Sequence, residues 1–202
     1  MNNTRLFFSA IFVAITGACA TSTHPLSDMR EITPATVMDP PRVIPRDDLP
    51  YSPEQVERGE YLVALLGCAS CHTDGALTGN PDYQRHLAGS RTGIAYSNPM
   101  SQQNPGVVYP PNLTPDPDTG IGAWNDSDII QMIRIGIHPD GGHTLPVMPW
   151  PAYAKISDAD VNAIVAYLRS LPPIRHKVPE IVAPGQKAVA PFVHFGVYQS
   201  IR

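Results

Sequence analysis

Positive charge is scarce in this chain. Its 202 residues include only three lysines, Lys155, Lys177 and Lys187, and the arginines do not cluster. Nucleic-acid binding needs a concentrated basic surface, so no nucleic-acid partner is expected. Docking through a ring of lysines is excluded for the same reason. From Pro53 to Pro172, twelve Asp and Glu face six Lys and Arg, an excess of about six negative charges before any cofactor is counted. Long apolar runs are also missing. The most apolar stretch, Leu6 to Ala18, has thirteen residues, well short of the roughly 20 that span a bilayer as a helix. Cysteine is rare, with three residues in all, too few for a four-thiolate zinc site. There is no internal repeat.

Proline, by contrast, is abundant. Its 23 residues are about twice the usual share of roughly 5%, so much of the chain must run as extended segments and turns. The first residues read as an export signal: Arg5 supplies a short positive region, the apolar run follows, and small residues come next. Two processing routes fit. Ala18-Cys19-Ala20 suits cleavage to a soluble chain beginning at Thr21. Thr16-Gly17-Ala18-Cys19 resembles a bacterial lipoprotein box, with Thr16 where leucine is usual, and makes Cys19 the lipidated first residue. Cys68 and Cys71 have a joint explanation below, which leaves Cys19 over where a membrane anchor needs it. Residues 19–52, with Pro25, Pro34, Pro40, Pro41, Pro45 and Pro50, lack any sustained apolar period and are expected to form a tether.

Three helices are expected beyond it. Ser52 is a candidate N-cap, Pro53 fits the first helical position and Gln55 completes a capping box. Val56, Leu62, Val63 and Leu66 mark one face, and Gly59 lies within that stripe. A mid-helix glycine costs about 1 kcal/mol, a cost that close approach of another helix would offset. A second helix runs from Ser127 to Ile135, with Ile129, Ile130 and Ile133 inward and Gly136 as its stop. The clearest follows Ser157, with Val161, Ile164, Val165, Leu168 and Leu171 at helical spacing and Pro172-Pro173 as terminator. Residues 73–123 read as loops, with a short hairpin through Gly93 to Tyr96 and Val107 to Tyr109. The tail, 174–202, has no strong period, but its aromatic stretch around Phe192, Phe195 and Tyr198 suggests docking on a surface.

Cys68-Ala69-Ser70-Cys71-His72 is the strongest chemical signal. Two thiols three positions apart can each bond one haem vinyl group, and the adjacent histidine then faces the iron. A redox disulfide would want a surrounding βαβ pattern, which is absent. The export signal agrees with haem, because covalent attachment occurs outside the bacterial cytoplasm.

Several motifs accompany CxxCH: Asn112-Leu113-Thr114-Pro115-Asp116, Thr119-Gly120-Ile121-Gly122 with Trp124, Met148-Pro149-Trp150-Pro151, and Ala166-Tyr167-Leu168-Arg169-Ser170-Leu171-Pro172-Pro173. With them the chain resembles class I c-type cytochromes, and more narrowly the bacterial mono-haem cytochrome c subunits and domains that accompany dehydrogenases and respiratory complexes. The resemblance implies an all-α class I cytochrome c fold over 53–173, with a loop-rich insertion, behind a signal peptide at 1–18 and the proline-rich tether. It also implies Gly59 packing on Tyr167 and Leu168.

The sixth iron ligand stays open among several residues. Met148 sits between Pro146 and Pro149, just before the last helix, where class I cytochromes present their methionine, and it is the foremost candidate. Met100 is in a loop. His138 and His143 lie near Met148 in sequence, although surface loop histidines explain them as well. Met132 falls on a helix face, so packing accounts for it. Trp124 and Trp150 could pack on the haem edge, reach a propionate or simply fill the core; Arg91 could meet a propionate or solvent. With His72 and Met148 on the iron, no open position remains for a substrate, so an electron-transfer protein with one covalent haem c is expected, not an enzyme. It would act on the periplasmic side of a bacterial membrane, lipid-anchored through Cys19, as a subunit of a respiratory, photosynthetic-type or dehydrogenase complex. A freely diffusing carrier, or a haem enzyme or sensor with an open axial site, are the alternatives.

Overall fold

Ser52 starts the ordered core. In a computed structural model of the chain, which describes residues 46, 48–101, 103–197 and 199–200, its hydroxyl accepts the Gln55 N–H while the Gln55 side chain accepts the Ser52 N–H. That reciprocal cap opens helix α1, Pro53–Leu65. A left-handed Gly67, φ 69°, breaks the direction and a one-turn helix α2, Cys68–His72, follows. Helix α3, Asp126–Ile135, is capped by Asn125 with Asp128 closing the box, and Gly136 ends it at φ 68°. After a loop come the short α4, Trp150–Tyr153, and α5, Asp158–Ser170, capped by Ser157. Among the described residues no helix is long and apolar enough to cross a membrane.

The apolar stripes converge. Val56, Leu62 and Val63 of α1 pack with Ile129, Met132 and Ile133 of α3, and with Val161, Ile164, Val165, Leu168 and Leu171 in and just beyond α5. Gly59 is where α1 meets α5: a Cβ there would fall 2.0 Å from the Ala163 carbonyl oxygen and 2.7 Å from Tyr167 Cβ. The glycine therefore permits the helix contact, as the sequence implied. Met132 is a core residue. Arg169 pins α5 to the start of α3, donating to Asp126 at 3.0 Å and to the Ile121 and Trp124 carbonyls. Tyr51 gives its hydroxyl proton to the other Asp126 oxygen at 2.9 Å. The Arg46 N–H donates to the Ser170 carbonyl, so the end of the expected tether is fastened to α5.

The core is helical, but the fold is not purely α. Strands β1, Gly93–Ala95, and β2, Val107–Val108, form the expected antiparallel hairpin, with Ile94 opposite Val108 and Ala95 opposite Val107. A third strand, β3, Phe192–His194, comes from the tail and pairs parallel to β1. It completes a sheet of order β2-β1-β3. The tail thus docks as its aromatic composition suggested, but by backbone pairing: Val182 also bridges Val107, and the Gly93 N–H reaches the Pro191 carbonyl. Phe195 stays exposed, and Tyr198 lies outside the described residues.

Candidate haem site

Helix α2 places Cys68, Cys71 and His72 on one turn. Both cysteines are free thiols and half-buried. Burial pushes Cys68 up to about 11 and raises Cys71 as well. Burial in apolar surroundings disfavours the thiolate and keeps both cysteines as neutral thiols. His72 is buried. Its Nδ1 lies 2.8 Å from the Pro111 carbonyl oxygen; a carbonyl can only accept, so Nδ1 carries the proton. That fixes the tautomer and leaves the Nε2 lone pair as the metal-binding one. Desolvation lowers the pKa of the ring, against the raising effect of the Pro111 bond, and favours the neutral imidazole a metal needs. Two unpaired thiols beside a buried, pre-oriented imidazole fit a covalently attached haem.

Met148 lies in the loop ahead of α4, half-buried and packed against the main core cluster, as Cys68, Ala69, Trp124 and Tyr153 also are. Its own N–H donates to the Leu145 carbonyl, and the Trp150 N–H donates to the Met148 carbonyl. The α4 helix ties this loop to the CxxCH turn: Tyr153 hydroxyl donates to the Leu66 carbonyl at 3.4 Å. Burial, then the nearby Cys68 and Cys71 sulfurs, raise the Tyr153 pKa.

The other candidates have their own occupations. His138 shares a 2.7 Å hydrogen bond with Thr144 and its ring lies 5.8 Å from that of Trp124. His143 is exposed. Met100 sits in a turn where its N–H meets Asn98. A propionate role for Trp150 does not hold, since its indole N–H is given to the Thr144 carbonyl, and its ring sits against the bare Gly136 backbone. Arg91 is exposed, as the solvent reading expected, and its guanidinium also lies 2.7 Å from buried Asp74, which holds Arg85 at 3.3 Å. Cys19 lies outside the described residues. Sequence reading missed Pro111, whose role is carried by a carbonyl and leaves no side-chain signature.

A helix running into a CxxCH turn, a proline-bounded methionine loop and a closing helix packed across the first together define a class I c-type cytochrome core. The chain belongs to the cytochrome c family, whose model matches residues 56–172. It is 36% identical over 171 residues to one of the subunits of nicotinate dehydrogenase from Pseudomonas putida, covering 85% of this chain and 12% of that protein. It is 36% identical over 132 residues to the cytochrome c subunit of alcohol dehydrogenase (quinone) of Gluconobacter oxydans, covering 64% of this chain and 24% of that protein. A diheme cytochrome c-type protein of Cereibacter sphaeroides is 33% identical over 119 residues, 59% of this chain and 37% of its own length. The chain thus spans well under half the length of these relatives.

Proposed function

We propose that this chain is a single-haem electron-transfer subunit, in which Cys68 and Cys71 would bond haem c and His72 and Met148 would ligate its iron. The observation that carries the reading is the His72 ring, buried and with Nδ1–H committed to Pro111, so that Nε2 alone is free to ligate. Haem, when bound, supplies the one-electron couple. Thioether ligation by Met148 raises the potential relative to stronger donors. The lone CxxCH in the sequence supports one haem. Names of the relatives support a place in a dehydrogenase complex, with the chain passing electrons and a partner performing the chemistry. The setting that fits is the periplasmic face of a bacterial membrane, with Cys19 as a lipid anchor; two acyl chains suffice for stable attachment where one is marginal.

Mass analysis of the denatured protein should show the polypeptide plus one haem. The ferric protein should show a weak sulfur-to-iron charge-transfer band in the far red. Met148→Ala should remove that band, lower the potential and admit carbon monoxide to the ferrous form. A band surviving in Met148→Ala would move the assignment to Met100, and a bis-histidine spectrum in the parent would sink it. Mild-detergent purification separates a fixed subunit from a free carrier, and Cys19→Ser should release the chain from membranes when no partner is present.

A further inference from the structure

The side of the site behind His72 is built from loop and tail. Segments 87–90 and 110–113 lie together: the Ser90 N–H donates to the Pro110 carbonyl at 3.0 Å, and the Leu113 N–H to the Leu87 carbonyl at 2.8 Å. His72 is held by both. Its carbonyl accepts the Gly89 N–H at 2.8 Å, and its Nδ1–H reaches Pro111 at 2.8 Å. The Pro111 carbonyl must therefore stay where it is for the imidazole to keep its orientation and its donor strength.

The residues after Pro111 form a buried polar lock. Asn112 is 2% exposed and Thr114 is 0% exposed. Asn112 Oδ1 accepts the Thr114 N–H at 2.9 Å and the Thr114 hydroxyl at 2.7 Å. Its Nδ2 donates to Thr119 Oγ1 at 3.1 Å and to the Ile174 carbonyl at 2.8 Å. Every hydrogen-bonding position of the amide is thus filled. The tail closes the lock from outside: the Ile174 N–H donates to Thr114 Oγ1 at 3.1 Å and the His176 N–H to Thr119 Oγ1 at 3.0 Å. His176 Nδ1 also lies 2.8 Å from the Ala88 carbonyl, which holds the other segment. A saturated buried network is rigid, and one missing member leaves several groups unpaired.

We propose that the Asn112–Thr114 pair, latched by Ile174 and His176 of the tail, is the positioning device for the proximal ligand: it holds the Pro111 carbonyl on His72 Nδ1–H and so sets how strongly His72 donates to the haem iron. The proposal rests on His72 being an axial ligand. A carbonyl that accepts Nδ1–H gives the ring partial imidazolate character, strengthens Nε2 as a donor and favours the ferric state. Loosening the lock weakens that polarisation and raises the potential.

The test uses the full-length haem-loaded protein. Thr114→Val keeps the shape and loses the hydroxyl; Thr114→Ser keeps the hydroxyl and loses a methyl. The readouts are deuterium exchange of the His72 Nδ1–H in the reduced protein, followed by NMR, and the reduction potential. Thr114→Val should exchange about tenfold faster, the scale of one net hydrogen bond, at a higher potential, while Thr114→Ser stays near the parent. Thr119→Val and Thr119→Ser repeat the comparison at a half-buried position that tolerates the change if Thr114→Val does not fold. Unchanged exchange in the valine variants, or serine variants as fast as valine, means packing alone is at work and overturns the proposal. His72 ring protons without the large shifts of an axial ligand would overturn the ligand assignment and this proposal together; normal shifts with unchanged exchange would overturn this proposal only.

Discussion

The α1–α5 contact and the region around Pro111 are both tight, but for different reasons. The helix pair is held by fit, with apolar stripes interlocking and one glycine letting the backbones meet. The Pro111 region is held by hydrogen bonds between segments distant in sequence, with Leu87 and Leu113 anchoring it to the hydrophobic core. The first should respond to added volume with a loss of global stability. The second should respond to lost polar groups with a change at the ligand before the whole protein weakens. The division suits a redox protein, because the part that tunes the iron can vary without dismantling the part that folds.

Gly59→Ala is the sharpest way to break the helix half. Alanine gains about 1 kcal/mol of helix propensity, but its Cβ would sit 2.0 Å from the Ala163 carbonyl oxygen, a backbone atom that cannot turn aside. The collision wins. A net loss of about 3 kcal/mol or more is expected, read as a fall in Tm of roughly 10 °C. The far-red band of the molecules that remain folded should not change. A variant as stable as the parent would mean the two helices do not meet at this glycine.

Gly89→Ala attacks the other half. Its φ of +88° disfavours any side chain, and a Cβ would lie 2.9 Å from both the Pro111 carbonyl carbon and the Asn112 nitrogen. Strain at such a backbone position costs about 1–3 kcal/mol, so the stability loss should be smaller than at Gly59. The potential and the His72 resonances, however, should move in this variant and not in Gly59→Ala. If both variants moved them equally, the contrast between the regions would fail.

A cut before Phe192 is milder. It removes β3 and its pairing with β1 but leaves Ile174 and His176 in place. The loss should be about 1 kcal/mol, the scale of a few net hydrogen bonds at the surface, seen as a modest drop in denaturation midpoint with the haem spectrum intact. A lost far-red band would place β3 among the elements supporting the ligands.

The same contrast explains what could be read from the sequence. Helices α1, α3 and α5 were legible, α1 and α5 with their N-caps Ser52 and Ser157, because a 3.6-residue period and a capping serine are local; the Asn125–Asp128 box that opens α3 was not read. The β1–β2 hairpin was legible from its flanking residues. Cys68, Cys71 and His72 announce themselves as a contiguous motif, and Gly59 was readable as a helix contact. The partner of Asn112, by contrast, is Ile174, 62 positions away; β3 pairs with a strand about a hundred residues earlier; and the Asp74–Arg91 bond joins two residues from a stretch without a period. None of these leaves a rhythm in the chain. The indole of Trp150 had a visible donor, but its acceptor, a carbonyl of Thr144, has no letter of its own.

The smallest expected effect separates the halves by pH. Helices α1 and α5 contain no histidine, whereas His86 lies in the insertion, half-buried, with Nδ1 enclosed and unpartnered. Burial pushes its pKa below the ordinary value of about 6.5. A base with a lowered folded-state pKa is held neutral in the native protein while the unfolded chain takes up a proton. Its contribution is therefore complete above about pH 6.5 and declines as pH falls toward the lowered value, because the unfolded state binds more protons there. The group is partly open to water, so solvent screening keeps the loss under about 1 kcal/mol. His86→Leu should flatten the parent's decline in denaturant midpoint between about pH 7 and pH 5, above the range in which most carboxylates titrate. Parallel declines in parent and variant would show that His86 is not the group responsible and that the insertion owes its acid sensitivity to other residues.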